Sequence, residues 1–451
     1  MAMKDSGLEL QTLRGNKSLK ITYVLPVYWP AVGGCELHTH ELVKILSERH
    51  NINVITLIDN QKDKLSYPLW VACILKAPAR AIEYTDNHAK VTRLPLSRIE
   101  KYVNAPLARI QSPKLPDIFV RLAMERLSNF YMKKLITRIR GSDVLHCVHG
   151  GVSYLGYGAF KAARKLGIPF IYTPVLHLCH KNWLKEMKES MVTKKPFFYN
   201  PRLHLTPRGW TDYFWHKMCV EADVLIAMTD FEKNFHIQNG IHAEKVHKIG
   251  VGPLIADGPT PDFRQKYGLL DKKIVLFLGR NVESKGIEIL LMATRLVWKN
   301  FPDTHFIFAG PKEENSEDIF QRYRDQRIHV LGTVLGDEKT ALLKACDIFC
   351  MPSLEESLGG TFLEALVFEK PIIGAKIPPL TELTNNGEGG VLVNPVPEDI
   401  AEKILMLLQH PEIGNRMGQC GKKRVLDNYT WEIITKKMED IYHDCSLTKS
   451  P

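Results

Sequence analysis

Residues 20–58 read KITYVLPVYWPAVGGCELHTHELVKILSERHNINVITLI and predict the fold of the first half of the chain. A β-rich run passes through a Pro/Gly turn into the helix-like ELHTHELVKILSERH and then into the β-rich NINVITLI. A strand, a glycine turn, a helix and a second strand in this order form a βαβ unit of a parallel sheet. Similar units recur at SDVLHCVHG, IPFIYTPV and ADVLIAMT. The first half is therefore predicted to be doubly wound.

The same alternation restarts after residues 251–263, VGPLIADGPTPDF, a Gly/Pro-rich stretch suited to an interdomain link. Beyond it, KIVLFLG, THFIFAG, RIHVLG, DIFCMPS, KPIIGA and GGVLV alternate with helix-like segments. The fold class predicted is α/β, with two Rossmann-like domains, residues 1–250 and 251–430, facing each other across a cleft. A helix over about 431–446 is predicted to follow, and its apolar face can pack back on either domain.

Composition indicates a soluble globular protein. Of the 451 residues, 45% are hydrophobic and 24% charged, and no apolar run reaches the roughly 18 residues of a membrane-spanning helix. The first 20 residues lack the apolar stretch of a secretory signal, so a cytoplasmic location is expected. Nine cysteines, scattered and without a CxxC pair, favour reduced thiols over disulfides or zinc ligands.

Charge is spread unevenly along the chain. Residues 1–220 carry 33 lysines and arginines against 16 aspartates and glutamates, or +17, whereas the remainder carries −7. This basic half either meets an anionic partner or is a solvated surface, and no motif indicates nucleic acid. A basic amphipathic helix predicted over residues 121–140 and the aromatic, basic segment 182–215 permit peripheral attachment to an anionic membrane. Core aromatics with solvated cations remain the alternative.

Two cations follow the first predicted strand of the second domain. In LGRNVESKGIEILLMA, residues 278–293, Arg280 and Lys285 lie in the turn that leads into a helix. Backbone amides and the helix dipole favour an anion at such a position, and added cations are typical of a diphosphate site. Solvated surface cations are the alternative interpretation.

Residues 355–366, EESLGGTFLEAL, place two carboxylates eight positions apart. In one continuous helix Glu356 and Glu364 would be rotated by about 80° and separated by roughly 12 Å. The pair Gly359-Gly360 disfavours such a helix, so a loop through SLGG and a helix from Thr361 are predicted. Carboxylates and free amides suit a polyhydroxylated ligand such as a sugar or ribose.

The ordered set of these motifs resembles glycosyltransferase family 4, whose members have the GT-B fold and retain configuration at the anomeric carbon. The resemblance runs from about residue 20 to 442. It is carried by GGCELHTHELVKILSERH, IPFIYTPVLH, LIAMTDFEK, LGRNVESKGIEILL, VLGTV, DIFCMPSLEESLGGTFLEAL and EKPIIGAKIPPLTELTNNGEGGVLV. The Glu-x7-Glu element with Arg and Lys upstream is specific when it occurs in this order.

The resemblance implies a role for each matching position. Arg280 and Lys285 would bind the diphosphate of a nucleotide-sugar donor and stabilise the leaving group, while Glu364 would hold the ribose. The transferred sugar would be held by Glu356, Leu358, Gly359, Gly360 and Thr361. The base would contact VLGTV, residues 330–334, which includes Gly332.

The resemblance also implies site residues in the first domain. Gly33 and Gly34 match a glycine loop that approaches the donor phosphate and the acceptor. A histidine is expected near the reaction centre. His177 is ranked first and His149 second, and both His146 and His149 follow a predicted strand that could point into the cleft. A structural role for each histidine is the alternative.

The function implied is a retaining transfer of a hexose-type sugar from a UDP- or GDP-sugar to a glycan or lipid-linked hydroxyl acceptor. No Asp-x-Asp motif occurs, so a carboxylate-bound metal is not expected. The nucleotide sugar is a co-substrate, and no cofactor is expected beside it. A GT-B-fold nucleotide-sugar epimerase and a non-catalytic sugar-nucleotide-binding subunit are the alternatives. A nicotinamide-dependent enzyme is disfavoured because neither half has GxGxxG after its first strand.

Overall fold

The computed structural model divides the chain into two compact units. Among the described residues, the first unit takes in 17–175, 209–249 and 432–447, and the second takes in 250–431. No helix within the described part is long and apolar enough to cross a bilayer. The structure describes residues 17–64, 66–110, 117–149, 151–175, 209–312 and 316–447.

The first unit is built on an eight-stranded sheet. Its strands are β1 (Lys20–Val24), β2 (Asn51–Thr56), β3 (Ile82–Asp86), β4 (Ala89–Arg93), β5 (Val144–Val148), β6 (Phe170–Thr173), β7 (Val224–Ala227) and β8 (Val246–Lys248). They lie in the order β3-β4-β2-β1-β5-β6-β7-β8, parallel except for the edge strand β3. Sequence order reverses between β1 and β5, which pair directly, as expected of a doubly wound sheet.

Helices of this unit connect the parallel strands. They are α1 (Gly34–Leu46), α2 (Gln61–Lys64), α3 (Leu69–Leu75), α4 (Arg98–Arg109), α5 (Asp117–Ile139), α6 (Ser153–Leu166), α7 (Gly209–Glu221) and α8 (Asp230–Gln238), with a 3-10 turn at Ala243–Lys245. The apolar side of α5 lies in the core, where Tyr131 stacks on Tyr154 of α6 with ring centroids 5.2 Å apart.

The second unit has a six-stranded, all-parallel sheet. Its strands are β9 (Lys273–Leu278), β10 (Thr304–Ala309), β11 (Ile328–Leu331), β12 (Ile348–Met351), β13 (Ile372–Ala375) and β14 (Val391–Val393). The order β11-β10-β9-β12-β13-β14 corresponds to the Rossmann order 3-2-1-4-5-6. The predicted fold class, α/β with two parallel-sheet domains, is thus confirmed.

Helices of the second unit alternate with these strands. They are α9 (Phe263–Lys266), α10 (Ile287–Trp298), α11 (Ser316–Arg322), α12 (Gly336–Ala345), α13 (Gly360–Val367), α14 (Pro378–Leu383), α15 (Pro397–Gln409) and α16 (Pro411–Asn428), with a 3-10 turn at Glu283–Lys285.

The last helix, α17 (Trp431–Leu447), is joined to the first sheet by a buried polar network. The Tyr442 hydroxyl lies 2.7 Å from Nδ1 of His146 on β5 and also bonds the Tyr23 hydroxyl on β1. The other ring nitrogen of His146 lies 2.8 Å from the Thr173 hydroxyl. Burial lowers the pKa of His146 to about 3, with repulsion from His38 as the smaller cause, so its ring is neutral at physiological pH.

Removing one hydroxyl from this network is expected to loosen α17. In Tyr442→Phe the His146 ring and the Tyr23 hydroxyl lose a partner inside the core, which costs about 1–3 kcal/mol. Hydrogen exchange of the α17 amides should accelerate by about tenfold. Tyr102→Phe is the control, since Tyr102 is 84% exposed and its hydroxyl loss should leave exchange unchanged. Equal exchange in wild type and Tyr442→Phe would contradict a stabilising role for the network.

Candidate active site

The predicted donor residues follow the two strands at which the order of the second sheet reverses. β9 and β12 are hydrogen-bonded neighbours, although β10 and β11 separate them in sequence. Arg280 and Lys285 follow β9, and Glu356 follows β12. Ligands of open α/β sheets bind outside the carboxyl ends of the strands at this reversal. The topology therefore brings the diphosphate-site and sugar-site candidates to one edge of the second unit.

Lys285 and Glu356 form an ion pair at this edge. The Lys285 Nζ lies 2.8 Å from Glu356 Oε1 and 2.9 Å from the backbone carbonyl oxygen of Glu355. The side chains are 11% and 9% exposed, so the pair is largely withdrawn from water. Within one site, the ammonium can bind a phosphate and the carboxylate can accept a hydrogen bond from a hydroxyl.

Gly286 allows the two loops to approach closely enough for this pair to form. Its φ of +79° lies in the left-handed region, and a Cβ there would be 2.4 Å from the Pro352 carbonyl oxygen. Beside it, the Leu354 amide donates to the Ser284 carbonyl at 2.9 Å. The turn after β9 and the loop after β12 are thus joined by backbone contacts that fix Lys285 opposite Glu356.

The glycine pair separates the two carboxylates as predicted, with a loop followed by a helix. Gly359 precedes α13 with φ +90°, and a Cβ there would approach Phe362 Cδ2 to 2.8 Å. The helix begins at Gly360, one residue before the predicted Thr361, because Gly359 takes the capping position. The first-turn amides of Gly360 and Thr361 have no acceptor within the helix and can donate to a ligand oxygen. Leu358 is a buried residue of this loop.

Glu364 lies on α13 and forms a second ion pair, with Lys339 of α12. Its Oε1 accepts from Lys339 Nζ at 2.8 Å and from the Leu254 amide at 3.3 Å. Within the described residues Oε2 has no hydrogen-bond partner, although it is buried. Burial raises the pKa of Glu364, and Lys339 and the Leu254 amide oppose that rise. Oε2 can therefore accept a hydrogen bond from a hydroxyl group of a ligand.

Sequence reasoning missed Lys339. Its side chain is only 9% exposed and its charge is matched by Glu364, 25 positions further along the chain. The only available signal was a lysine inside the helical segment EKTALLKA, and such lysines are usually solvated. The contact between α12 and α13 that makes Lys339 part of the site becomes visible only in the folded unit.

Arg280 and Gly332, the two other predicted donor contacts of the second unit, follow strands β9 and β11. Arg280 is exposed in the turn after β9, where its carbonyl accepts from the Val282 amide at 2.9 Å. Gly332 follows β11, and its carbonyl accepts from the Gly310 amide at 3.0 Å. Both remain predicted ligand contacts. No trio of His, Cys, Asp or Glu in the described part could hold a metal ion, and the predicted metal independence remains untested.

Predicted residues of the first unit flank the strand reversal of its own sheet. Gly33 precedes α1 in extended conformation and Gly34 is its first residue, both after β1. His149 follows β5, with its amide donating to the Thr173 carbonyl at 2.9 Å. Its ring is edge-on to Tyr172.

Two histidines considered from the sequence have different outcomes. His146 does not follow a strand, as the sequence suggested, but lies buried within β5 and bonds Tyr442 and Thr173. His177 and most of the aromatic segment 182–215 lie outside the described residues.

Comparison with protein families identifies the chain. The model of "Glycosyl transferase 4-like domain" matches residues 33–252, and that of "Glycosyl transferases group 1" matches residues 259–424. The chain belongs to the family 4 glycosyltransferases of the GT-B type. Family membership predicted from the sequence motifs is thereby confirmed.

Related glycosyltransferases align with different shares of this chain. An uncharacterised glycosyltransferase of Methanocaldococcus jannaschii is 21% identical over 94% of this chain and 98% of its own length. The alpha-D-kanosaminyltransferase of Streptomyces kanamyceticus is 26% identical over 46% of this chain. That alignment spans 56% of the kanosaminyltransferase, little more than half.

Solved structures share the fold. Sucrose-phosphate synthase from Thermosynechococcus elongatus has a TM-score of 0.66 at 17% identity, covering 94% of this chain and 98% of its own. Anabaena HepE, solved in complex with UDP-glucose, also has a TM-score of 0.66 at 17% identity, covering 94% of this chain and all of its own. A putative UDP-N-acetylglucosamine 2-epimerase from Listeria monocytogenes has a TM-score of 0.56 at 13% identity, covering 94% and 95%.

Proposed function

We propose that this family 4 protein transfers a hexose-type sugar, with retention, from a UDP- or GDP-sugar to a hydroxyl of a glycan or lipid-linked acceptor. The observation that carries the proposal is the buried Oε2 of Glu364, which has no hydrogen-bond partner among the described residues. A buried carboxylate oxygen is costly unless it accepts a hydrogen bond. A ribose hydroxyl of a nucleotide donor would satisfy it.

Other predicted site residues of the second unit would hold the rest of such a donor. Lys285 and Arg280 would bind the diphosphate, and the amides of Gly360 and Thr361 with Glu356 would hold the sugar. As the anomeric bond to the diphosphate breaks, the leaving oxygen takes the electron pair and becomes more negative. Lys285 and the dipole of α13 would stabilise that charge.

Retention would follow from a front-face displacement. The acceptor hydroxyl would form its bond to the anomeric carbon on the side from which the diphosphate leaves. Its proton would pass to the departing phosphate oxygen, so no carboxylate nucleophile is required. Glu356 then keeps a sugar-binding role, which is consistent with its engagement by Lys285.

A thermal-shift panel of UDP-, GDP- and ADP-sugars tests the donor proposal. Binding to the folded state raises the melting temperature, and a concentration 100 times Kd contributes about 2.7 kcal/mol. Donors that stabilise the protein would then be assayed for hydrolysis and transfer, with the product anomer read by NMR. A panel without any stabilising donor would overturn the proposal, and an epimerised nucleotide sugar would favour the epimerase alternative.

Donor affinity should depend on pH through Glu364. The ionised carboxylate is the better hydrogen-bond acceptor. Affinity for the donor should therefore be highest at pH values above the pKa of Glu364 and should fall by up to about tenfold for each pH unit below that pKa. Lys339→Met removes the cation that lowers this pKa, so the fall should begin at a higher pH. The donor diphosphate is esterified at both ends and keeps its charge between about pH 5 and 8.

Calorimetric titration of the best donor from the panel would measure this dependence. Glu364→Gln keeps the shape of the side chain but cannot titrate, so its affinity should be lower and nearly constant over the same pH range. If Glu364→Gln and wild type show parallel pH profiles, another group is responsible for the dependence.

A further inference from the structure

Helices α4 and α5 of the first unit pack against one another and expose an unusual set of large apolar side chains. Much of the exposed bulky apolar surface in the described chain is concentrated on α4 and the start of α5. The exposed fractions are Ile99 77%, Tyr102 84%, Val103 43%, Ile118 52%, Phe119 55% and Leu122 59%. Apolar groups clustered in this way mark an interaction surface more often than scattered ones do.

The orientation of α4 is fixed by its contacts. Its inward side is small or polar, with Asn104, Ala105 and Ala108 buried. A capping box between Ser97 and Glu100 closes its first turn. Glu100 also pairs with Lys134 of α5 at 2.8 Å. The helix is therefore held with Ile99, Tyr102 and Val103 facing water.

The same surface carries positive charge. Arg98 and Arg109 lie at the two ends of the exposed side of α4. Along α5, the exposed stripe that begins at Ile118 and Leu122 continues through Arg126 and Lys133, and Arg140 is exposed just after the helix ends. Among the acidic side chains that the structure describes on α4 and α5, Glu100 is paired with Lys134 and Glu125 with Lys161.

We propose that this apolar and basic surface, the α4–α5 face, docks on the interface of an anionic lipid bilayer. Apolar side chains would enter the headgroup boundary while the arginines and lysines remain at the level of the lipid phosphates. A second copy of the chain fits less well, because a two-fold contact would bring the same cations of both copies together. The inference is independent of the transferase proposal.

Flotation with vesicles tests the α4–α5 face. The full-length chain would be mixed at low salt with phosphatidylcholine vesicles containing about 30 mol% phosphatidylglycerol, and with pure phosphatidylcholine vesicles. The expected result is flotation with the anionic vesicles and at least about tenfold less with the neutral ones. Tyr102→Asp/Leu122→Asp should lower the floated fraction by about tenfold or more, because it replaces inserted apolar groups with charges that the lipid repels.

Leu270→Asp/Leu426→Asp is the matched control. These leucines are 60% and 51% exposed but belong to the second unit. The control should float like wild type, and all three proteins should melt at the same temperature. Arg98→Glu/Arg109→Glu should lose flotation and leave the melting temperature unchanged.

Several results would overturn the proposal. They are no flotation with anionic vesicles, equal flotation with neutral vesicles, full flotation of Tyr102→Asp/Leu122→Asp, or an equal loss in the leucine control. Sedimentation that shows a dimer in wild type and a monomer in Tyr102→Asp/Leu122→Asp would assign the face to a second copy instead.

Discussion

Lys285→Ala is expected to weaken binding of the donor nucleotide sugar by about 100-fold. Lys285 holds a largely buried ammonium at the edge where the predicted diphosphate would lie, and a charged contact of this kind is worth about 2–4 kcal/mol. The substitution also leaves Glu356 without its cation, so the free protein should melt at a lower temperature. Calorimetric titration at a temperature well below both melting points separates the two effects.

Two variants make the Lys285 result specific. Lys285→Arg keeps the charge and should recover part of the affinity. Lys422→Ala removes a lysine that pairs with Glu369 at the same 2.8 Å, but those side chains are 39% and 43% exposed. That loss should change stability by less than about 0.5 kcal/mol and donor affinity not at all. Unchanged donor affinity in Lys285→Ala would contradict its assignment to the diphosphate.

The fold could be predicted from the sequence because its signals are local. Each parallel strand is a short apolar run such as KIVLFL, and glycine-containing turns follow β1 and precede α10 and α13. The break between Glu356 and Glu364 was predictable for the same reason, since glycines at 359 and 360 act on their own backbone. Family membership was predictable because the motif order survives even where identity is low.

The partners of the site carboxylates could not be predicted in this way. The Lys285–Glu356 and Lys339–Glu364 contacts join residues 71 and 25 positions apart, and charge alone does not specify which lysine meets which glutamate. His146 illustrates the reverse problem. It was predicted to follow a strand and to point towards the site, but it lies within β5, where Tyr442, nearly 300 positions later, binds it in the core.

The α4–α5 face shows a further limit of the sequence. Periodicity identifies an amphipathic helix but does not say which side meets the core. The sequence predicted a basic amphipathic helix over 121–140, and in α5 the apolar side is indeed buried, with Leu127, Tyr131 and Leu135 in the core. In α4 the small residues Ala105 and Ala108 are buried, whereas Ile99, Tyr102 and Val103 face water, an arrangement that only packing against α5 reveals.

Glu356→Gln is expected to lower the turnover of sugar transfer by about 100-fold while leaving affinity for the nucleoside diphosphate unchanged or slightly tighter. The amide keeps the shape of the side chain but removes its charge. Hydrogen bonds from the sugar hydroxyls to this side chain are therefore weaker in the transition state of transfer. Lys285, no longer shared with a carboxylate, becomes more available to the diphosphate. Steady-state kinetics and calorimetry with the nucleoside diphosphate measure the two effects separately.

Glu355→Gln is the matched control for this prediction. Glu355 is the preceding residue, and it holds Lys285 through its backbone carbonyl oxygen, which the substitution leaves in place. Turnover in this variant should stay within about twofold of wild type, because the amide keeps the shape of the side chain and the carbonyl oxygen that holds Lys285 is unchanged. An equal loss of turnover in both variants would mean that turnover depends on the total negative charge of the loop. Glu356 would then have no specific contact with the sugar. A loss of nucleotide binding in Glu356→Gln as large as its loss of turnover would instead place Glu356 in the diphosphate site.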